Sequence, residues 1–355
     1  MAEKKIGTIG ILTSGGDAPG MNAAVRAVTR AAISRGIKVM GIMKGYRGLI
    51  DGEIIEYNAR SVSNLIDRGG TALYSDRCEE FRHEPGVQKA ADTCAKLGID
   101  GIVTIGGDGT FRGAMDLSRK GVLTIGIPAT IDNDITATDY CIGFDTAMNT
   151  VIDMVDRLRD TSESHARGSV VEVMGRDAGY IALKCGIAVG AAGVAIKEMP
   201  FDEEELIARM LSSRTDGKRN FLVLVCEGMG EHYGQELTDK LSAVGIDSRF
   251  SRLAHVQRGG SPTLRDRLAA TQLGDHAVEL LIEGKQNIIV GFSGNQVIDI
   301  DMAYAGNLDK RYKGKLTDEE FAKLSAADQS SINEHIAKKQ SDIKSLYEIA
   351  KRMSI

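Results

Sequence analysis

Two short stretches of the chain carry residues whose types and spacing could do chemistry. "IPATIDNDITATDY", residues 127–140, sets Asp132 and Asp134 two apart, with Thr130 and Asn133 beside them. In an extended segment such residues face the same way. Two carboxylates so placed could divide labour, one near a metal and one taking a proton from a hydroxyl. "VTIGGDGTFRGAM", residues 103–115, sets Gly106, Gly107 and Gly109 around Asp108. Glycines let the main chain pass close to a ligand, and the start of a following helix offers unpaired N–H groups and a positive dipole end to an anion. An acid at that spot would repel a bare phosphate but suits a Mg²⁺ that bridges phosphates. Each stretch also has a plain structural reading: Asp108 as the N-cap after a glycine turn, and an Asx-rich turn over 132–134.

A third loop, "LTSGGDAPGMNAAVRA" at 12–27, follows a strand pattern and opens a helix. Gly15 and Gly16 remove side chains at the turn, Asp17 can cap, and Pro19 suits a first helical turn. The loop is neither G-x-x-x-x-G-K-[ST] nor G-x-G-x-x-G. Three glycine or acid loops without a lysine among them point to one phosphate-handling site.

Strands must hold these loops. Short apolar runs at 6–13, 38–43, 101–105, 123–127, 169–174, 220–226 and 286–291 alternate with helical stretches such as 20–35, 86–97, 145–158 and 263–283. Near-continuous apolar strands between amphipathic helices predict an α/β fold of parallel sheets covered on both faces. Ligands in such sheets bind beyond the carboxyl ends of strands, where the three loops lie. The 355 residues suit two domains, with a break near 140–145. From about 310 the chain turns polar. Thr317–Glu320 forms a capping box, and Ile332, Ile336, Ile343, Tyr347 and Ala350 recur at helical spacing. Two terminal helices are expected there, packing on the body or serving an oligomer contact.

Composition narrows the class. A net charge of −5 argues against a nucleic-acid surface. Gly 41 exceeds the roughly 25 of ordinary usage, and the excess belongs to turns and close backbone approaches. No apolar run reaches the ~18 residues of a membrane span. The opening "MAEKKIGTIGILTSGG" reads as a strand entering a glycine turn, not as a secretory leader. Cys78, Cys94, Cys141, Cys185 and Cys226 are scattered without C-x-x-C spacing, which suits a reducing cytoplasm and gives no metal site.

"TSGGDAPGMNAA", "RGGTALYSDR", "IGGDGT", "PATIDNDI", "RDTSESHAR", "VEVMGRDAG" and "HVQRGGSPT" occur in order over about residues 4–300. Together they resemble the ATP-dependent 6-phosphofructokinases of the bacterial type. The resemblance implies two phosphofructokinase-like α/β domains. Residues 1–143 and 257–306 would bind ATP, 144–256 would bind fructose 6-phosphate and effectors, and 307–355 would form a helical extension. It implies transfer of the γ-phosphate of ATP to the 1-hydroxyl of fructose 6-phosphate, with Mg²⁺, in the cytoplasm and without nucleic-acid or membrane partners. On that pattern Asp132 is the general base with Thr130 beside it, Asp134 supports base and metal, and Asp108 holds Mg²⁺. Gly15, Arg77, Cys78, Gly107, Gly109 and Thr110 would contact ATP. Ile131, Arg167, Met174, Gly175, Arg176, Glu227, Arg249, His255 and Arg258 would join Thr130 and Asp132 at the sugar phosphate, Arg176 also serving catalysis. Equivalents of Arg167 and Arg249 reach in from a neighbouring subunit, so a homo-oligomer, usually a tetramer, is implied. Arginine suits such places because its planar fork matches phosphate oxygens.

Departures from the pattern are informative. Pyrophosphate-using relatives carry an aspartate at Gly109 and a lysine at Ala129, so Gly109 favours ATP, while bacterial ATP enzymes usually have glycine at Ala129. Arg26, Arg30, Arg159 and Lys218 fit the family's second, effector anion site. Glu53, Gly193, Asp216 and Asn220 stand where it has an arginine, a metal-binding glutamate, a lysine and a histidine. Control by ADP or phosphoenolpyruvate is therefore expected to be weak or absent. Rival readings are a pyrophosphate-dependent or other sugar-phosphate kinase, an NAD or lipid kinase sharing the GGDGT loop, and an inactive nucleotide-binding regulatory subunit.

Overall fold

The computed structural model describes residues 6–354. The chain opens with β1 (Thr8–Ser14), α1 (Met21–Ser34), β2 (Lys38–Ile42), α2 (Tyr46–Asp51), β3 (Ile54–Tyr57) and α3 (Glu84–Leu97). Next come β4 (Gly101–Gly106), α4 (Asp108–Ser118), β5 (Leu123–Pro128), α5 (Phe144–His165), β6 (Gly168–Val173) and α6 (Tyr180–Ala188). Then follow β7 (Gly193–Ala195), α7 (Glu203–Thr215), β8 (Phe221–Cys226), α8 (Tyr233–Ala243), β9 (Ser248–Arg252) and α9 (Leu264–Ile282). The chain closes with β10 (Ile288–Ser293), β11 (Gln296–Asp301), α10 (Met302–Tyr312), α11 (Asp318–Ala322) and α12 (Ala326–Met353).

Two compact units result. One holds the stretch ending at Ile131, Ile135–Thr146 and Arg258–Asn333; the other holds Asp132–Asp134, Ala147–Gln257 and the stretch from Glu334. The first unit carries a seven-stranded sheet in the order β11-β10-β5-β4-β1-β2-β3. Its centre is parallel, as expected, and both edges add an antiparallel strand, β11 on β10 and β3 on β2. Central β4 is buried at every residue and reads as a near-continuous apolar run broken only by Thr104. The edges β3 and β11 are partly exposed and mix polar with apolar residues. Leu12, Ile42, Leu49, Ile102 and Leu117 form part of this unit's core.

The second unit carries a parallel four-stranded sheet in the order β7-β8-β6-β9. Val170, Ala195, Leu206, Val223, Leu237 and Leu241 pack in its core. The tail is helical as expected. Thr317 and Glu320 form the reciprocal cap of α11. Ile332, Ile343, Tyr347 and Ala350 are the buried positions of α12, whose end is fixed by Tyr347 Oη donating to the Pro200 carbonyl at 3.2 Å.

Candidate active site

In the first unit, the parallel register of β1 and β4 sets Ser14 opposite Gly106. The loops after these strands therefore leave the sheet side by side. The Thr110 hydroxyl donates to the Ser14 carbonyl at 3.1 Å. A Cβ on Gly106 would lie 2.3 Å from that same carbonyl oxygen, so the approach demands glycine. Gly15 has φ of 87°, a conformation that side chains disfavour. Nothing lies within 4 Å of where a Cβ on Gly107 would be, which leaves open space above main chain at the start of α4. The 71–78 loop is laced to the same strand end: Thr13 Oγ1 donates to the Tyr74 carbonyl at 2.8 Å, and Ser75 Oγ donates to the Gly15 carbonyl at 2.5 Å. Gly15, Gly107, Asp108, Gly109 and Thr110 thus gather around two adjacent strand ends, and Ser75, two residues before Arg77, is tied to one of them. The Arg77 side chain is exposed, and Cys78 packs partly into the core.

Asp108 opens α4. One of its oxygens accepts the Gly109 amide at 2.7 Å, and the other pairs with Arg112 at 3.1 Å. Its side chain is 38% exposed. One accessible carboxylate beside an open glycine edge fits Mg²⁺ that arrives with phosphates and keeps waters, since Mg²⁺ is commonly held by one or two carboxylates plus substrate oxygens. No cluster of three or more metal-type side chains occurs among the described residues, so the donor set does not resemble an all-protein cage. Arg258 donates to the Asp17 carbonyl at 3.2 Å and covers the Gly16 turn. Ala129 and Ile131 are buried in this unit and Thr130 is half-buried.

The acid stretch 130–134 is not extended. Asn133 has φ of 50° and turns the chain between the two carboxylates, leaving Asp132 3% exposed and Asp134 half-buried. A short polar run prefers a local turn to a strand, so the two acids do not simply share one face.

In the second unit, Arg176 Nε stands 3.8 Å from Asp132 Oδ2. Arg176 itself has φ of 53°, in a turn past the carboxyl end of β6. Glu227, past the end of neighbouring β8, fixes that turn. Its Oε1 accepts the amides of Gly175 at 3.2 Å and Arg176 at 2.6 Å. Gln257, fully buried, accepts the Met174 amide at 3.3 Å. Asp132, Met174, Gly175, Arg176 and Glu227 are thereby assembled. His255 is exposed on the helical turn Ala254–Arg258. Cys226 lies beneath, its thiol pushed by burial to about 12.

Arg167 and Arg249 are not at this place. Arg167 precedes the first residue of β6, and Arg249 pairs in register with Ser169 near the same end. Both bind Asp247, at 2.8 Å and 2.5 Å. The hydrogen bond from Arg167 leads the effects that hold the Asp247 carboxyl below its usual range. Two guanidiniums on one carboxylate present the fork that a phosphate would also accept.

The expected effector residues are engaged locally. Arg30 donates to the Ala59 carbonyl at 3.3 Å, Arg159 donates to the Val189 carbonyl, and Lys218 Nζ lies 5.7 Å from the Phe221 ring centroid. Arg26 is half-buried on α1. Glu53 pairs with Lys44 at 2.9 Å. A Cβ on Gly193 would meet Leu206 at 2.8 Å. Asp216 ends α7, and Asn220 lies just before β8.

Asp247 and Gln257 join the candidate residues only through the structure. Asp247 sits two residues before Arg249, and Gln257 lies inside "HVQRGG"; their neighbourhood in those motifs was the available signal.

Comparison with known proteins agrees with this geometry. A family model described as Phosphofructokinase matches residues 8–281. An ATP-dependent 6-phosphofructokinase from Clostridium novyi (strain NT) is 52% identical over 312 residues, covering 88% of this chain and 97% of that protein. ATP-dependent 6-phosphofructokinase 1 from Clostridium perfringens (strain 13 / Type A) is 50% identical over 309 residues, covering 87% and 96%. The structure of phosphofructokinase from Saccharomyces cerevisiae superposes with a TM-score of 0.85 at 30% identity, over 96% of this chain and 49% of that one, so this chain spans about half of the yeast chain. A pyrophosphate-dependent phosphofructokinase from Marinobacter aquaeolei shares the fold, with a TM-score of 0.76 at 22% identity over 93% and 92%. Strand-end glycine loops, the buried acid with its arginine and the match over most of the chain lead to one conclusion: this chain belongs to the phosphofructokinase family.

Proposed function

We propose that the chain is an ATP-dependent 6-phosphofructokinase, transferring the γ-phosphate of ATP to the 1-hydroxyl of fructose 6-phosphate. The observation that carries this reading is the buried Asp132 with Arg176 3.8 Å away on a turn held by Glu227. A carboxylate kept from bulk water beside a cation can accept a proton from a sugar hydroxyl while the cation steadies the charge of the transferring group. Thr130 and Asp134 flank the base. Met174 and Gly175 present backbone to the sugar, and Glu227, with one oxygen committed to that turn, has its second oxygen for a sugar hydroxyl.

Gly15, Gly107, Gly109 and Thr110, with Arg77 and Cys78 at the rim, form the nucleotide cradle, and alignment there substitutes for covalent help. Asp108 is the residue that would hold Mg²⁺, which when bound neutralises phosphate charge. Arg258, His255 and Ile131 complete the substrate surroundings. Arg167 and Arg249, turned away from their own chain's Arg176, serve the sugar phosphate of a neighbouring subunit. The working enzyme is therefore a homo-oligomer, for which we infer a tetramer. Five cysteines free of disulfides fit a reducing compartment, and no helix among the described residues is long and apolar enough to cross a membrane. We assign the enzyme to the cytoplasm.

Donor choice follows from Gly109 and Ala129, which bring neither the acid nor the cation of pyrophosphate users. Replacing ATP by pyrophosphate in an assay with fructose 6-phosphate tests this. Turnover with ATP and none with pyrophosphate is expected, and faster turnover with pyrophosphate would overturn the donor assignment.

A further inference from the structure

Asp266 is a carboxylate with 0% exposure and no place in the machinery described so far. It is the third residue of α9, and its amide donates to the hydroxyl of the N-cap Thr263 at 3.4 Å. Its own carboxylate is fully used. Oδ1 accepts from the Tyr140 hydroxyl at 2.5 Å and the Gly143 amide at 2.7 Å. Oδ2 accepts from the Thr146 amide at 2.9 Å and the Thr146 hydroxyl at 2.5 Å. Buried ionisable groups are retained when bonded in this way.

The partners are not scattered. Gly143 directly precedes α5 and Thr146 is its third residue, so Asp266 caps α5 from a different helix, at the positive end of its dipole. The same spot is one foot of the acid loop. Ile142 bridges Ala129 in parallel, and its amide donates to the Pro128 carbonyl at 3.0 Å. The chain between these feet carries Thr130, Asp132 and Asp134. The 12–27 glycine loop is packed onto this foot without slack. A Cβ on Gly143 would lie 2.6 Å from that of Ala18, and a Cβ on Gly20 would lie 2.6 Å from Ile142 Cγ2 and 3.5 Å from Asp266 Cβ. Thr263 adds a second stitch, its amide donating to Thr146 Oγ1 at 3.0 Å and its hydroxyl to Asp145 at 2.7 Å.

We propose that Asp266 is a positioning residue for phosphoryl transfer: it locks the far foot of the 129–142 loop and the start of α5 against the nucleotide loop at 15–20. The proposal rests on the reading of Asp132 as the base. It acts through geometry, since small misplacements of reacting groups cost rate far more than affinity.

The test compares Asp266→Asn, Tyr140→Phe, Thr146→Val and Thr146→Ser with the unaltered enzyme, at a temperature where circular dichroism shows each folded. Steady-state rates with ATP and fructose 6-phosphate are read beside amide hydrogen exchange over 129–146. Tyr140→Phe and Thr146→Val should each lower kcat about 10-fold with both KM values within about twofold, and should speed exchange in that segment. Thr146→Ser, which keeps the hydroxyl, should recover both. Should Asp266→Asn fail to fold, the other three variants decide. Unchanged exchange over 129–146 would remove the clamp whatever the activity. Faster exchange with unchanged kcat per folded molecule would reduce Asp266 to a stabilising group. An unaltered enzyme inactive with ATP and fructose 6-phosphate would refute the functional reading instead, and exchange would still decide the clamp.

Discussion

Arg167 stands immediately before the first residue of β6 and Arg176 stands three residues beyond its last, so the two guanidiniums leave opposite ends of one strand. At ~3.3 Å per residue that strand spans roughly 20 Å, too far for both to grip one sugar phosphate. Arg249 shares the Arg167 end through Asp247. If these two serve a neighbour's site, two defective chains should repair one another. Asp132→Ser and Arg249→Ala would each be nearly inactive alone. Co-assembled at equal amounts, they should regain about a quarter of the unaltered activity, because in a symmetric assembly about that share of sites draws both residues from intact sources. Activity no greater than the sum of the parents would show that each chain supplies its own arginines.

Asp247 has a pH signature. Arg167 foremost, then Arg249, hold its carboxyl below the usual value. The ionised form is therefore favoured by folding, and its contribution is complete above the free carboxylate value of about 3.9. It is lost as the pH falls through the lower, folded value. The gap in Tm between the unaltered chain and Asp247→Asn should be constant near neutrality and close as the pH is taken to about 3 or below. A gap independent of pH would mean that the arginines do not act on this carboxylate.

Three thiols should be inert in the folded protein. Burial pushes Cys94, Cys185 and Cys226 to about 12. At pH 8 that leaves about one thiolate in 10⁴, and the thiolate is the reacting form. Alkylation of the native protein followed by peptide mass spectrometry should find these three unmodified until denaturant is added. Rapid native labelling of Cys226 would contradict the packing beneath the Arg176 turn.

Effector control is predicted to be slight. Glu53 is committed to Lys44, and the space that a side chain at Gly193 would need is filled by Leu206. Rates at sub-saturating fructose 6-phosphate should be unmoved by micromolar phosphoenolpyruvate or ADP. Gly193→Glu should not create a response but should destabilise the unit by about 1–3 kcal/mol through overpacking, measured by denaturant unfolding. Strong inhibition of the unaltered enzyme would overturn this reading of the second anion site.

Much of this molecule was legible as sequence because its central strands are buried on both faces. β8 is an unbroken apolar run and β4 a near-continuous one, and the expected strands 220–226 and 101–105 match them to within a residue. β3, β9 and β11 were missed because edge strands need not be continuously apolar, and β7 because three residues carry no period. The glycine loops were visible because backbone needs there act on residue type directly. The roles of Asp247, Gln257 and Asp266 were not, since each rests on at least one partner far away in sequence, Arg167, Met174 and Tyr140 respectively. The turn at Asn133 was hidden because "TIDND" suits either a turn or an extended stretch, and Asn is among the residues that tolerate its φ of 50°.

The measurement that bears most directly on the central claim is turnover of fructose 6-phosphate with ATP by the unaltered chain and by Asp132→Ser. Product phosphorylated at the 1-hydroxyl is expected, with a loss in kcat of ~10²-fold or more in the variant and a sugar KM changed only a few-fold. A variant that retains full kcat, or an unaltered chain that leaves fructose 6-phosphate untouched, would contradict that claim.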